Sequence, residues 1–201
     1  MPTLRRRRRA VTRFTVTRLA MVAVGWLLWS GALVAQTAQS AQDAAYWIKA
    51  AQLSKFTLFV EWPKEAFTAA DSPIAICVVG TDPFREGQLD HFVQGSTIKQ
   101  RPVVVRRLDW SQDLRRCHIL FVSEAETSKA SELRSRLEGF PVLAVGESPG
   151  FARRLGIMNF YIDENSVRFE VNVEAAKRAR LRIDARMLGL ARIVTDGRPT
   201  R

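Results

Sequence analysis

The most constraining feature of this chain is a set of short apolar runs that do not alternate. Pro73-Ile-Ala-Ile-Cys-Val-Val-Gly80 is unbroken from its proline to its closing glycine. A strand with one wet face reads apolar, polar, apolar; an unbroken run needs both of its faces covered. Arg101-Pro-Val-Val-Val-Arg-Arg-Leu108, Cys117-His-Ile-Leu-Phe-Val-Ser123 and Pro141-Val-Leu-Ala-Val145 repeat the theme, the first with the end charges an edge position tolerates. Between them lie helical stretches. Asp43 to Val60 places Ala45, Ile48, Ala51/Gln52, Phe56 and Phe59 at near three- and four-residue spacings and stops before Trp62-Pro63. Asp82-Pro83 starts a short helix to about His91, and Glu124 to Leu137 forms another, with Leu133 and Leu137 one turn apart. Gly156 to Ile162 and Ser166 to Asn172 alternate in period two around Asp163-Glu164-Asn165, predicting a hairpin with one wet face. Ala175 to Val194 reads as one or two closing helices.

Strands alternating with helices predict an α/β fold: one domain, with a mixed, mainly parallel sheet flanked by helices on both faces. A length of 201 residues suits one such domain with a leader.

The leader explains a misleading charge. The chain carries a net charge of +11, yet Arg5 to Arg9, Arg13 and Arg18 precede any acidic residue. They are followed by the apolar run from Leu19 to Trp29 and a small-residue exit ending near Ala35. Basic head, short apolar middle and small-residue exit are the parts of a secretory signal peptide, and the run is short for a bilayer span of about 20 residues. Removing residues 1–35 takes away seven arginines and no acids, so the net charge falls from +11 to +4. Nucleic-acid binding is thereby disfavoured, and the implied destination is the periplasm or the cell exterior. The expected layout is a signal peptide over 1–35, a disordered linker over 36–45, the α/β domain over 46–194 and a flexible tail over 195–201.

Candidate chemistry is sparse. Gly146-Glu-Ser-Pro-Gly150 matches the G-x-S-x-G elbow of serine hydrolases. In that fold the histidine follows the serine, whereas His91 and His118 both precede Ser148. Ser148 is read as part of a strand-to-loop turn. His118 beside Cys117 lacks the ligand spacing of a zinc site, and no phosphate-binding glycine loop occurs. No catalytic residue, metal site or cofactor is expected. Phe151, Arg153 and Arg154, just after the glycine-rich loop, are the candidate partner-binding residues, an apolar tip beside two cations. Cys77 and Cys117 lie on the first and third strands, which are neighbours in a doubly wound 2-1-3 order. An oxidising compartment permits a bridge between them, provided their Cα atoms come within about 7 Å. Cys77 is late in its strand and Cys117 early, so two buried free thiols stand as the other reading.

Ile48-Lys-Ala-Ala51, Lys55-Phe56, Phe59-Val-Glu-Trp-Pro63, Ile76-Cys77, Asp82-Pro83-Phe84 and Cys117-His-Ile-Leu-Phe-Val122 occur in order along the chain. Gly150-Phe151, Gly156-Ile-Met-Asn-Phe160, Arg168-Phe-Glu-Val-Asn172 and Met187-Leu-Gly-Leu-Ala191 continue the series. In that order and spacing the sequence resembles the YfiR family of periplasmic regulators. Two departures are visible: Gln52-Leu-Ser54 replaces a more aromatic stretch, and a second cysteine pair found around Gly150-Phe151 in some members is missing. Cys77 and Cys117 match the remaining pair. The resemblance implies a homodimeric, non-catalytic protein that binds the periplasmic domain of an inner-membrane diguanylate cyclase and represses cyclic-di-GMP synthesis. It further implies an outer-membrane lipoprotein that sequesters the repressor. The competing expectation is a periplasmic small-molecule or solute-binding component of a sensor or transport system, using the loop at Gly146–Arg154.

Overall fold

The computed structural model describes residues 39–197, with Asp43 onward forming one compact unit. The expected signal peptide over 1–35 and the outer part of the tail lie outside the described residues. No described helix is long and apolar enough to cross a membrane.

The first helix, α1, spans 39–59, so the stretch read as a linker over 36–45 is helical from residue 39. It leads into the two-residue strand β1 (Val60–Glu61) and the proline that stops it. Next come β2 (Ile74–Val79), α2 (Gln88–Val93), β3 (Thr97–Ile98) and β4 (Arg101–Leu108). They are followed by β5 (Ile119–Val122), α3 (Leu133–Arg136), β6 (Leu143–Gly146) and α4 (Phe151–Arg154). The chain ends through β7 (Met158–Asp163), β8 (Ser166–Asn172), α5 (Val173–Arg178), β9 (Arg182–Ile183), α6 (Ala185–Leu188) and β10 (Arg192–Val194).

Eight strands form one sheet in the order β10-β8-β7-β6-β5-β2-β4-β3, and β1 pairs with β9 apart from it. Within the larger sheet only β8 with β7 and β4 with β3 pair antiparallel; the other interfaces are parallel. The mixed, mainly parallel sheet expected from the sequence is therefore present, and β4-β2-β5 is the expected 2-1-3 order. Beyond Arg101 and Pro102, β4 has no outer partner strand among the described residues, which suits its charged Arg106 and Arg107.

Alternation along the buried strands splits the core into two layers. Ile74, Ile76, Val78, Ile119, Phe121, Leu143 and Val145 face a layer closed by Ala50, Leu53 and Phe56 of α1, Leu89 of α2 and Ala176 of α5. Ala75, Cys77, Val79, Leu120, Val122 and Ala144 face the other layer, closed by Leu114, Ala130, Leu133 and Phe151. Helices thus cover both faces, as unbroken apolar strands require.

Three sequence expectations are corrected. The buried face of α1 comprises Lys49, Ala50, Leu53, Phe56 and Thr57, while Ile48 is 46% exposed. The face lies about one residue, or roughly 100°, from the one read in the sequence. The wet side of the hairpin is only partly wet: Asn159, Glu170 and Asn172 are buried, and Asn172 caps α5 through the Ala175 amide. The closing segment is not continuous helix. After Ala179 the backbone of Arg180 turns left-handed (φ 57°), and Arg192–Val194 leaves as a strand beside β8. Periodicity does not reveal this, because a short edge strand is decided by the sheet it joins. Nor is the start of the tail free. Asp196 accepts hydrogen bonds from Asn172, Arg134 and Arg178, and the Gly197 amide donates to the Arg153 carbonyl at 3.1 Å.

Candidate functional site

In open, mainly parallel sheets, ligands bind beyond the carboxyl ends of the strands, where the chain connections diverge. Here that point lies between β2 and β5, since β2 continues to β4 on one side and β5 to β6 on the other. Gly80 and Thr81 leave β2 there, and a run of 3₁₀ helix, Glu124–Glu132, leaves β5. The crevice is filled by the chain itself. The carboxylate of Glu126 accepts from the Thr81 amide (3.1 Å) and hydroxyl (2.9 Å) and from Trp110 Nε1 (2.7 Å), and Lys129 pairs with it at 3.1 Å. These donors, Trp110 first, hold its pKa down to about 2. Gly80 makes room for it: a Cβ there would lie 2.4 Å from Glu126 Cδ, and φ is +74°.

The end of β6 is equally committed. Glu147 Oε2 meets Lys49 Nζ of α1 at 2.6 Å, with the two side chains 4% and 11% exposed. Glu147 Oε1 accepts from the Tyr46 hydroxyl at 3.0 Å and the Glu124 amide at 2.9 Å. Burial, then the negative charge of Glu147, pushes the Tyr46 phenol well above its ordinary value, so it remains a donor. Sequence reasoning missed this group, whose members lie 98 and 101 residues apart. The available signal was Lys49 itself, a charge beside Ala50 on the buried helix face.

Ser148 shares a short hydrogen bond with Thr127. His118 stands before β5 and Ser148 after β6, and these strands run parallel, so the two residues occupy opposite ends of the sheet. His118 therefore does not stand where a base for Ser148 would.

The partner-binding expectation at the adjacent loop is corrected in part. Phe151 is fully buried, its ring set between Gly146 and Gly156, where an added Cβ would approach within 2.3 Å and 2.2 Å. It is a core residue and offers no apolar tip. Arg153 and Arg154 are exposed and diverge. Arg154 donates to the Pro149 carbonyl at 2.9 Å and lines one cleft, while Arg153 lines a different cleft of about 560 Å³ beside β7.

Cys77 and Cys117 are bridged, with their Cα atoms 5.8 Å apart. Cys117 does not reach Cys77 along the strand, whose register pairs Cys77 with Leu120. A 3₁₀ turn, Leu114–Arg116, brings Cys117 across the sheet into the layer that also holds Cys77. That detour resolves the register difficulty.

His118 anchors the other end of β5. Its Nδ1 accepts from the Ala75 amide at 3.1 Å, and its ring stacks on Phe67, whose ring also carries Arg101 at 3.7 Å from its centroid. Burial, then the charges of Arg101 and Arg106, pushes its pKa down from 6.5 to about 4 against the pull of the Ala66 carbonyl. The unfolded chain takes up this proton below 6.5 and the folded chain only near 4, so stability is complete above that window and falls as pH drops through it. Urea midpoints should correspond to a loss of about 2 kcal/mol between pH 7 and pH 5. His118→Gln should flatten that slope; an unchanged slope in the variant would assign it elsewhere.

The family model described as YfiR/HmsC-like matches residues 46–192, from the Tyr46 that contacts Glu147 to the first residue of β10. That match runs through the strand order, the bridged cysteines and the filled crevice alike, and the chain belongs to the YfiR/HmsC-like family.

Proposed function

We propose that this protein is a non-catalytic periplasmic regulator that binds the periplasmic domain of an inner-membrane diguanylate cyclase and holds cyclic-di-GMP synthesis down. Membership of the YfiR/HmsC-like family across residues 46–192 carries the reading. The sequence supports it with the leader-like segment over 1–35. The strand ends support it too, since the side chains of Glu126, Glu147 and Ser148 are engaged by the protein's own groups.

Repression by binding is a matter of linkage. A partner shifts an equilibrium only by its differential affinity for the two states, and a hundredfold preference for the inactive cyclase corresponds to about 2.7 kcal/mol. An outer-membrane lipoprotein competing for the repressor would reverse the shift by lowering the free concentration, and a homodimer would present the docking surface twice. Immobilised cyclase periplasmic domain should retain the mature protein, and deleting its gene should raise cellular cyclic-di-GMP. No retention together with unchanged cyclic-di-GMP would reject the reading.

A further inference from the structure

β7 and β6 part company before β7 ends. Their pairing consists of Val145 with Met158 and Gly146 with Asn159, whereas β7 pairs with β8 as far as Asp163 with Ser166. The strand therefore runs on from Phe160 to Asp163, about 13 Å, with no partner strand on its β6 side. The hairpin turn fixes what that edge displays. Glu164 (φ 45°) and Asn165 (φ 60°) form a two-residue left-handed turn, which makes Asp163 and Ser166 a hydrogen-bonded pair. Alternation then aims the amides of Tyr161 and Asp163 at β8, and the N–H and C=O of Ile162 away from it.

Asn159, Phe160, Tyr161 and Ile162 line the cleft of about 560 Å³ consecutively, so the strand's edge forms one wall. That volume lies within the ordinary range of small-ligand sites. Asn159 is 3% exposed and its Oδ1 is buried without a hydrogen-bond partner. Buried polar atoms are normally satisfied, so Asn159 is a polar residue of the cleft wall that the protein itself leaves short of a donor. Two charges among the lining residues are uncommitted. The Arg153 guanidinium and the Glu124 carboxylate have no side-chain partner among the described residues, while Glu147 is held by Lys49 and Glu170 by Arg192.

We propose that this cleft binds short, free-ended peptides in extended form. The peptide adds a strand to the open edge of β7 at Ile162, with its carboxylate on Arg153 and its ammonium toward Glu124. A free peptide carries the three things the walls leave unmatched: a row of main-chain donors and acceptors, and a charge of each sign at its ends. Binding here is independent of the cyclase reading.

The probe is the tripeptide Val-Ala-Val with free ends, compared with its acetylated and amidated form, titrated into the mature protein and followed by amide NMR and calorimetry. The free form should bind with a Kd of about 1 mM or tighter and shift the amides of Phe160 to Asp163. The capped form should bind at least about tenfold more weakly, as should the free form to Arg153→Glu, a surface change. Ile162→Pro removes the outward N–H without touching the β8 ladder and should abolish binding, whereas Ile162→Val should retain it. No shift along β7, equal binding of the two forms, or Arg153→Glu binding like the parent would each overturn the proposal, whether or not Ile162→Pro folds.

Discussion

Replacing both cysteines, as Cys77→Ala/Cys117→Ala, should lower the free energy of unfolding by about 2–5 kcal/mol, read from urea midpoints at neutral pH. The bridge spans 40 residues, from β2 through α2 and β4 to the start of β5. Closing a loop of that length removes chain entropy from the unfolded state equivalent to about 4 kcal/mol in the entropic model. Burial adds to this, because Cys77 is 0% and Cys117 3% exposed in the layer beneath α3, and truncation leaves that layer short of atoms. The same burial predicts slow reduction. Dithiothreitol should cleave the bridge of the folded protein only as fast as the protein opens, so the rate should rise steeply as urea approaches the midpoint. Rapid cleavage in the absence of denaturant, or a double variant within about 0.5 kcal/mol of the parent, would show that the bridge holds little together.

Phe151→Ala should cost about 3–5 kcal/mol, a comparable loss from a single side chain. Its ring fills the space that Gly146 at the end of β6 and Gly156 before β7 leave open, while Ala144 and Leu155 belong to the same layer. The glycines and the ring form one arrangement. Gly146→Ala would bring a methyl within 2.3 Å of Phe151 Cγ, a separation that atoms do not tolerate, so the ring or the strand must move. We expect about 1–3 kcal/mol of destabilisation from that change alone. The discriminating result is the double variant. In the Gly146→Ala background, Phe151→Ala should cost much less than in the parent, because the methyl occupies space the ring vacates. Additive losses would mean that ring and glycine act separately.

These two sites show what the sequence makes legible. The unbroken run at Pro73–Gly80, covered on both faces, and the valine run with charged ends at Arg101–Leu108 locate β2 and β4 to within a residue. Cys77 and Cys117 are readable as neighbours once the order of three strands is argued. Phe151 is not readable as buried, because glycines around an aromatic look like a loop, and only the approach of β6 and β7 shows that they clear its ring. The Lys49–Glu147 pair and the Glu126 cradle escape for a related reason: each joins residues that only the folded sheet brings together. The strand Arg192–Val194 is hidden by the helix-like spacing of the apolar residues before it, and its pairing with β8 is a tertiary choice.

The carboxylate at position 126 carries a consequence for what this crevice can admit. In open sheets generally a ligand reaches such a crevice from bulk solution, and its occupancy tracks how much of that ligand is present. Here the occupant is tethered by its own backbone, so its local concentration never varies with nutrient supply or stress. The place where this architecture ordinarily admits a ligand is thus held by a tethered side chain.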